Sequence, residues 1–489
     1  MLNIGIEFNL HDFEYDVYSL VKAFYPAAEV KNFYTGEETA GDFSILLRMV
    51  YEKDKITAIL LEKDSVVARQ SAEIDYEKNR KETKNVLKQL VYTMFSDYTK
   101  QTLPWGTLTG IRPTKIPMHL LEEGWKNVDI ADYLRKTYFV SNEKTSLAIS
   151  IANRERALLQ QMDYENGYSL YIGIPFCPSI CLYCSFGSHP LKQWEKRVDE
   201  YLDALIKELD FSAKAFADKR LQSIYIGGGT PTTLTPEQSD RLLQAVTTKF
   251  DLSHVLEFTV EAGRPDTITA EKLAVLKKYP VTRISINPQT MNQKTLELIG
   301  RKHTVEEVCD VFHIARDLGF DNINMDLIIG LPGEGYPEVT HTLEKVKELA
   351  PDSLTVHSLA LKRATRLNLF KDEYTEMSFE NSQEIMSLCE RTAMELGMGP
   401  YYMYRQKNIA GNFENVGYAK VDKAGIYNIL IMEEKQSIIA CGAGASTKFV
   451  FDHGARIERV ENVKSVEHYI QRIDEMIERK KAGIEKWLK

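Results

Sequence analysis

Residues 173–186 read GIPFCPSICLYCSF, and this stretch places Cys177, Cys181 and Cys184 within eight residues of one another. Thiolate is a soft ligand that suits iron–sulfur clusters. Three thiolates on a four-iron cluster leave one iron open to a small chelating molecule. The spacing, directly after a strand-like run and among aromatic residues, predicts a 4Fe–4S cluster. The alternatives are inert buried thiols, or a closed zinc site in which His189 supplies the fourth ligand.

The cysteines follow the first of six strand-like runs that alternate with helical patterns. Between the first two runs, Val198, Leu202, Leu205 and Leu209 recur at three- and four-residue spacing, which is typical of one face of a helix. Six β/α units in succession predict a parallel sheet with helices outside it, curled into a full or partial barrel. Functional residues are then expected at the C-terminal ends of the strands. The predicted strands are 169–174, 223–226, 256–261, 281–287, 323–329 and 353–359.

A glycine run follows the second predicted strand directly. Residues 227–234 read GGGTPTTL. Because glycine has no side chain, backbone N–H and C=O groups in such a run can approach a ligand closely. Its place one β/α unit after the cysteines favours a ligand-binding loop, and a tight β-to-α turn without a ligand is the alternative.

Polar residues stand at or near the ends of the later predicted strands. Glu261 ends the third strand in TVEAGRP, Gln289 follows the fourth in SINPQT, and Asp326 lies within the fifth in INMDLIIG. Arg301 and His303 belong to the segment IGRKHT. A carboxylate inside an apolar run is costly unless it is paired or bound to a ligand. Corresponding positions on successive strands therefore indicate a shared site, although each residue alone could be a helix cap or a surface ion pair.

Together these motifs resemble a known family. The segment CPSICLYC matches the C-x3-C-x2-C signature of radical S-adenosylmethionine (SAM) enzymes. The segments YIGIPFC, GGGTPT, LELIGRKHT and MDLIIGLPGE resemble the oxygen-independent coproporphyrinogen III oxidase group of that superfamily, over about residues 168–365. In the flanks, WGTLTGIRPTK and YYMYRQKNIAGNFENVGYA are similar to the HemZ-type branch, the coproporphyrinogen dehydrogenases.

The resemblance implies an α/β fold with a partial (β/α)6 TIM-like radical SAM barrel, an N-terminal α+β domain and a C-terminal α+β extension. It implies two cofactors, a 4Fe–4S cluster held by Cys177, Cys181 and Cys184, and SAM, which would chelate the open iron. Tyr171 is implied to lie near SAM or the substrate as a catalytic residue. The residues implied to contact or line the SAM site are Gly228, Gly229, Thr230, Glu261, Gln289, Arg301 and Asp326.

The implied reaction is the oxidative decarboxylation of coproporphyrinogen III to protoporphyrinogen IX in heme biosynthesis. A 5′-deoxyadenosyl radical would take a hydrogen from a propionate side chain, and loss of carbon dioxide and one electron would leave a vinyl group. The expected partners are a tetrapyrrole substrate and an electron donor such as flavodoxin or ferredoxin. The alternatives are a radical SAM enzyme for another tetrapyrrole, for example one that opens heme anaerobically, and a heme-binding chaperone without decarboxylase activity.

Two positions depart from the pattern of the family and put the substrate in doubt. The family motif Y-x-H-I-P-F-C has histidine where this chain has Gly173. The oxidases carry a further cysteine two residues after the third, and here that position is Phe186, as in the related heme-chaperone branch.

Bulk properties limit the remaining possibilities. The chain has 489 residues and a net charge of −9, which gives no reason to expect nucleic acid as a partner. We find neither a secretory signal nor an apolar run long enough for a membrane span, so we expect a cytoplasmic protein. The expected domains are an N-terminal α+β accessory domain at 1–165, the radical SAM barrel at 166–370, and a C-terminal domain at 371–489 that covers the barrel mouth.

The flanks carry several local predictions. Strand-like runs at 1–8, 44–51 and 56–61 and a helical pattern at 82–98 predict the N-terminal domain. A helix at 378–396 and a strand pair at 425–430 and 437–440 are predicted in the C-terminal region. Tyrosines between 401 and 419, with Arg405 among them, indicate either a core strand or a surface for a flat macrocycle. The cations considered for substrate carboxylates are Arg112, Lys115, Arg363, Arg366 and Arg405.

Overall fold

The computed structural model describes residues 2–37, 42–74, 79–110, 112–185, 187–360, 379–405 and 413–487. The chain divides into two compact units. Unit 1 comprises Met1–Asn153 and Arg405–Glu414, and unit 2 comprises Arg154–Tyr404 and Asn415–Lys489. Phe186, Arg363 and Arg366, which carried predictions, lie outside the described residues. The predicted division into three domains at 165 and 370 stays a prediction.

Unit 1 contains a five-stranded mixed sheet with helices. Its strands follow the order β2-β1-β3-β4-β5, with β1 parallel to β2 and β3, and with β4 antiparallel to β3 and β5. Residues of β3 alternate between buried and half-buried, the pattern of a strand with one face on the core. The predicted strands and the predicted helix of this region are confirmed. The strands are β1 Asn3–Phe8, β2 Glu29–Tyr34, β3 Ile45–Glu52, β4 Lys55–Glu62 and β5 Ser65–Glu73.

Five helices begin in unit 1 among the described residues, and the longest of them starts at a side-chain cap. The side chain of Asn79 accepts a hydrogen bond from the amide of Glu82, which starts the helix Arg80–Thr99. That helix buries Leu87, Val91 and Phe95 in the core of unit 1. The helices that begin in unit 1 are Glu14–Phe24, Arg80–Thr99, Lys115–Glu122, Asn127–Tyr138 and Asn142–Leu159.

Unit 2 is built on the six parallel strands that the sequence predicts. They lie side by side in chain order, from β6 to β9, β10, β11, β12 and β13. Their residues are buried on both faces, as expected for a parallel sheet covered by helices. The strands are β6 Gly167–Ile174, β7 Phe176–Cys177, β8 His189–Pro190, β9 Arg220–Gly228, β10 Glu257–Gly263, β11 Arg283–Ile286, β12 Ile323–Ile329 and β13 Ser353–Ser358.

The helices between these strands have strong start signals in the sequence. Thr235 and Thr304 each form a capping box with the residue three positions on, which satisfies backbone N–H groups at the start of a helix. The first of the helices buries Leu202, Leu205 and Leu209, the face expected from their spacing. The helices of this region are Val198–Ala215, Pro236–Lys249, Ala270–Lys277, Gln293–Leu298, Val305–Asp317 and Tyr336–Leu349.

The C-terminal part extends the sheet at both edges. Strand β15 adds antiparallel beside β13, and β14 adds antiparallel beside β15. At the other edge β16 adds parallel beside β6 and leads to the antiparallel strands β17 and β18. Because the order runs from β14 to β18 without closing, the described sheet is a partial barrel, as predicted. These strands are β14 Gly399–Tyr404, β15 Asn415–Ala419, β16 Ser437–Cys441, β17 Ser446–Phe451 and β18 Arg456–Glu461.

One prediction in this part is wrong. The run predicted as a strand at 425–430 is the helix Ile426–Glu433, which buries Tyr427, Ile429 and Leu430. A short apolar run has no periodicity that separates a strand from a buried helix, so only packing decides between them. The remaining helices are Gln383–Glu395, Val466–Gln471 and Ile473–Trp487. No helix among the described residues is long and apolar enough to cross a membrane.

Candidate active site

The cysteine loop starts at the C-terminal end of β6. Cys177 lies on the two-residue strand β7, which pairs with β8, and the amide of His189 donates to the carbonyl of Pro175 at 2.7 Å. The amide of Cys184 donates to the carbonyl of Cys181 at 3.1 Å. Cys177 and Cys181 are buried and Cys184 is half-buried, and among the described residues none of the three forms a disulfide bond. The loop therefore holds three soft sulfur donors at the rim where the parallel strands end.

The chemistry of three thiolates fits a cluster better than a closed zinc site, because a closed zinc site needs a fourth ligand. Among the described residues, no group of three or more His, Cys, Asp or Glu side chains has the geometry of a single-ion site. A zinc ion needs its sulfur ligands within about 2.3 Å of one point, whereas a cluster takes each thiolate on a different iron. His189, the fourth ligand of the zinc alternative, lies with Nε2 3.4 Å from the carbonyl oxygen of Lys464.

The glycine run packs directly against the strand that leads to the cysteines. The amide of Gly229 donates to the carbonyl of Ile174 at 2.7 Å, and the amide of Thr230 donates to the carbonyl of Phe176 at 2.8 Å. A Cβ on Gly229 would lie 2.5 Å from the Phe176 carbonyl oxygen, and Gly228 has a φ of +112°. These contacts explain the glycines by backbone approach alone, and the SAM contacts expected of Gly228, Gly229 and Thr230 stay a prediction.

Two arginines border the cysteine loop. Arg301 is buried, and its Nη1 donates to the carbonyl of Asn287 at 2.6 Å while its Nε donates to the Tyr183 hydroxyl at 3.2 Å. Arg264, which the sequence reasoning did not single out, is also buried, and its Nη1 lies 3.7 Å from Sγ of Cys181. Positive charge therefore accompanies the thiols on the side of Cys181.

Glu261 lies near the C-terminal end of β10, and the pKa of its carboxyl is raised. Burial raises the pKa of the Glu261 carboxyl to about 7, and the nearby carboxylate of Asp326 adds to the effect. The hydroxyl of Tyr225 donates to this carboxylate. A Cβ on Gly227 would lie 2.9 Å from Oε2 of Glu261, so the glycine run also makes room for this side chain.

Asp326, on β12, is ionised more easily than Glu261 in the same surroundings. Burial opposes the ionisation of Asp326, but the neighbouring His357 and the amide of Asn324 outweigh burial, and the pKa of Asp326 lies below its usual value. The amide nitrogen of Asn324 donates to Oδ1 at 2.7 Å, and Nε2 of His357 lies 3.8 Å from Oδ2. Two neighbouring carboxyls with separated pKa values are a frequent mark of a functional site.

A cavity of about 190 Å³ joins these two carboxyls. Among the described residues, the Oγ of Ser285 and the Nε of Arg283 are buried at its wall without a hydrogen-bond partner. Buried polar atoms without partners are rare and suit a site that a polar ligand completes. The lining residues are Tyr225, Glu261, Arg283, Ser285, Asn324, Asp326, Thr355, His357, Tyr402, Tyr404, Asn428, Ile431 and Met432.

Gln289 lies beside Asp326 in an unusual backbone conformation. Its φ is +69°, a left-handed value that residues other than glycine and asparagine rarely adopt. Its amide donates to the carbonyl of Asp326 at 3.0 Å, and its carbonyl accepts from the amide of Ile328 at 2.9 Å. Such strain persists only where the surrounding structure enforces it, often at functional sites.

Tyr171 points into a stack of three tyrosines in the barrel. Its ring centroid lies 6.3 Å from that of Tyr225 and 6.2 Å from that of Tyr427. Burial, and then the charge of Glu261, raises the pKa of Tyr171 above its usual value, which keeps the phenol protonated. Through Tyr225, Tyr171 is thus adjacent to the carboxylate of Glu261, while its catalytic role stays a prediction.

Most of the expected site residues are brought together in two connected places. Glu261 and Asp326 line the cavity, and the backbone amide of Gln289 donates to the carbonyl of Asp326. Thr230 reaches the cysteine loop, where its Oγ1 lies 3.5 Å from Sγ of Cys177. Sequence reasoning missed Arg264, Tyr225 and His357. The one available signal was for Arg264, which stands three residues after Glu261 in the quoted segment TVEAGRP.

Residues 171–346 match the Radical SAM superfamily. The chain is also 40% identical, over 471 residues, to the oxygen-independent coproporphyrinogen-III oxidase-like protein HemZ of Bacillus subtilis (strain 168), covering 94% of this chain and 93% of that protein. This chain belongs to the HemZ family of radical SAM proteins. A radical SAM protein carries a 4Fe–4S cluster and uses SAM, so the cofactors expected from the motifs are confirmed.

This HemZ-family protein is also similar to two proteins of different function, a heme chaperone and a coproporphyrinogen III oxidase. The heme chaperone HemW of Bacillus subtilis is 34% identical and covers 63% of this chain and 76% of its own length. The solved structure of the radical SAM coproporphyrinogen III oxidase HemN of Escherichia coli aligns with a TM-score of 0.52 at 25% identity, covering 66% of this chain and 73% of HemN. The match to HemN confirms the predicted TIM-like barrel architecture.

Proposed function

We propose that this protein catalyses the oxygen-independent oxidative decarboxylation of coproporphyrinogen III to protoporphyrinogen IX. The observation that carries this proposal is the length of the match to HemZ. That match spans 94% of the chain and so includes the regions outside the barrel, whereas the match to the heme chaperone spans 63%. Regions outside a shared barrel are where relatives of different function are expected to diverge.

In this function Cys177, Cys181 and Cys184 would hold the cluster. Together with SAM, the reduced cluster supplies one-electron chemistry that yields a carbon radical able to remove a hydrogen atom. The chain must bind SAM, orient the substrate carbon and exclude water and oxygen. Three thiolates on separate irons leave one iron for SAM, which is consistent with the donor set of the cysteine loop.

The carboxyls of Glu261 and Asp326 are the residues proposed to receive SAM. A cationic ligand with ribose hydroxyls is complementary to an ionised carboxylate such as Asp326, which Asn324 and His357 hold in place. Glu261, with its pKa near 7, can accept or donate a hydrogen bond at neutral pH. Gln289 and Arg301 lie near the same region. The amide of Gln289 donates to the carbonyl of Asp326, and the guanidinium of Arg301 donates to the carbonyl of Asn287.

A heme-chaperone function is the second possibility that a specific observation favours. The heme chaperone HemW of Bacillus subtilis is 34% identical over 311 residues, which is 63% of this chain. In this chain Phe186 stands where the oxidases carry a further cysteine, as it does in the chaperone branch. Under this alternative the cluster and SAM binding remain, and no propionate is decarboxylated.

Product analysis separates the two functions. The reconstituted protein is incubated without oxygen with coproporphyrinogen III, SAM and dithionite, and the porphyrins are separated after oxidation. We expect protoporphyrin together with two equivalents of carbon dioxide and SAM cleavage that depends on the substrate. SAM cleavage without any loss of propionate, with tight heme binding instead, would refute the oxidase proposal and favour the chaperone.

A pair of cysteine variants controls this experiment. Cys181→Ala should lose most iron and all turnover, because two thiolates hold a cluster poorly. Cys389 is also fully buried, within the helix Gln383–Glu395, and Cys389→Ala should keep both iron and turnover. A full iron content in Cys181→Ala would show that the cluster ligands are assigned wrongly.

A further inference from the structure

Arg264 connects the third β-strand of the barrel to the cysteine loop. Its guanidinium donates from Nη1 to the Oγ of Ser179 at 2.8 Å and to the Ser179 carbonyl at 3.0 Å, and the same nitrogen lies 3.7 Å from Sγ of Cys181. Ser179 stands between the first and second cysteines. One buried arginine, 3% exposed, therefore holds the middle of the loop and reaches the sulfur of one thiol.

The opposite edge of the same guanidinium is occupied by a carboxylate. Nε and Nη2 of Arg264 donate to the two oxygens of Asp266 at 2.9 and 2.7 Å. This bidentate pair fixes the plane of the guanidinium and leaves Nη1 as the edge that faces the thiol. The positive end of the Arg264–Asp266 pair thus points at Cys181, with the negative end behind it.

The charges of Arg264 and Asp266 should influence the reduction of the cluster that the thiols hold. Reduction of a cluster adds one negative charge, and a cation or a hydrogen bond at a ligating sulfur stabilises the reduced form. The interaction is strong because Arg264 is buried, where charges are poorly screened. Asp266 has the opposite effect at a longer distance, so the two side chains should shift the potential in opposite directions.

We propose that Arg264 is a positioning residue that donates to the Cys181 thiolate and raises the reduction potential of the cluster, and that Asp266 orients Arg264 and moderates its effect. This inference rests on Cys181 being a cluster ligand and is independent of the substrate. It goes beyond the decarboxylase proposal, because it concerns how readily the cluster accepts the electron that precedes any substrate chemistry.

The test is a redox titration of the cluster in the absence of SAM and substrate, followed by electron paramagnetic resonance. In Arg264→Gln the midpoint should become more negative, so that the reduced fraction relative to the oxidised falls about tenfold at the wild-type midpoint, which is about 59 mV for one electron. Asp266→Asn should shift the midpoint in the positive direction. Arg264→Lys keeps the charge and should lie closer to wild type than Arg264→Gln.

Arg316 provides the matched control. It also pairs with an aspartate and a carbonyl, through Nη1 to Asp352 at 2.6 Å and to the Phe320 carbonyl at 3.0 Å. Asp352 directly precedes β13, so this pair lies at the N-terminal ends of the parallel strands, opposite the cysteine loop. Arg316→Gln should leave the midpoint unchanged.

The opposite signs distinguish electrostatic tuning from simple anchoring of the loop. Unchanged midpoints at full iron content, or shifts of the same sign in Arg264→Gln and Asp266→Asn, would overturn the proposal. Loss of the cluster from Arg264→Gln, Asp266→Asn and Arg264→Lys alike would also overturn the proposal, because this result would indicate that the pair only anchors the cysteine loop. A wild-type protein without a cluster would instead refute the cysteine assignment, and a normal titration without porphyrin turnover would refute only the decarboxylase function.

Discussion

Two groups of buried charged side chains in unit 2 differ in their hydrogen bonding. At the C-terminal helix, Oε1 of Glu208 accepts from Lys480 Nζ at 2.6 Å and from Asn462 at 2.7 Å. Its Oε2 accepts from the amide of Gly442 at 2.9 Å and from the hydroxyl of Tyr469. Both oxygens of this carboxylate therefore have two donors each, and Lys480 is 1% exposed at its side chain. We call this group the closed network.

The second place is the cavity between Glu261 and Asp326. There the carboxyls face about 190 Å³ of space, and the wall contains polar atoms of Arg283 and Ser285 that have no partner among the described residues. The two carboxyls also differ in acidity, because the pKa of Glu261 is raised to about 7 while that of Asp326 is lowered. We call this group the open site.

The contrast shows that a buried charge by itself does not indicate function. The closed network satisfies its charges within the protein, so it stabilises the docking of the C-terminal helix and needs no ligand. The open site leaves hydrogen-bonding capacity unused beside a cavity, which is consistent with the SAM binding proposed for it. The same amino-acid types thus have a structural role in one place and a proposed binding role in the other.

The same substitution should destabilise the protein at the closed network but not at the open site. Glu208→Gln leaves the ammonium of Lys480 buried without a counterion and should lower the free energy of unfolding by about 3–5 kcal/mol. Glu261→Gln should leave that free energy unchanged or raise it, because a neutral amide avoids the cost of ionising a buried carboxyl. Urea unfolding of the cofactor-free chain at pH 8 measures both. Equal losses would remove the distinction between the sites.

The open site should also give stability a pH dependence. The pKa of Glu261 is about 7 in the folded protein against a usual value of 4.5, so the folded state takes up a proton in this range. The free energy of unfolding should therefore fall as pH rises from about 4.5 to 7, by up to about 3 kcal/mol. The difference between wild type and Glu261→Gln, measured at each pH, isolates this contribution. A difference independent of pH would contradict the raised pKa.

Binding of SAM should depend on the open site and not on the closed network. Asp326→Asn and Glu261→Gln should weaken SAM binding roughly 10- to 100-fold, because each loses a charge-assisted hydrogen bond of about 1.5–3 kcal/mol. Iron content should not change. Equilibrium binding under anaerobic conditions provides the measurement, with folded Glu208→Gln protein as the control. If both variants bind SAM as wild type does, these carboxyls are not at the SAM site.

The smallest effect is expected at a buried charge in unit 1. Nη1 of Arg405 donates to the carbonyl of Leu108 at 2.8 Å, and its guanidinium lies 5.8 Å from the ring centroid of Trp105. These contacts favour the structural explanation of this arginine. Arg405→Ala should lower the free energy of unfolding by about 1–2 kcal/mol and leave porphyrin turnover unchanged below the melting temperature. A fully stable variant with impaired turnover would instead place Arg405 at the substrate.

Predictions from the sequence succeeded where the signal was local and repeated. The strand at Ile323–Ile329 has the predicted bounds, and the cysteine and glycine motifs follow β6 and β9 as expected. They failed at the helix Ile426–Glu433, where a short apolar run allows either conformation. Residues 361–378 and 406–412, which include Arg363 and Arg366, are outside the described part of the chain, so the predictions there stay open.

The sequence alone determined the family and the cofactors of this protein, because cysteine spacing, a glycine run and β/α periodicity are local properties of the chain. It predicted three thiolate ligands, and it identified the succession of parallel strands and the family to which the chain belongs. Only the tertiary structure decided which charges act together, since these pairings join residues far apart in the chain. Arg264 reaches Cys181 across 83 positions, and Lys480 neutralises Glu208 across 272. Whether a buried carboxylate is satisfied by the protein or open to a ligand depends on those distant partners, and no local pattern contains them.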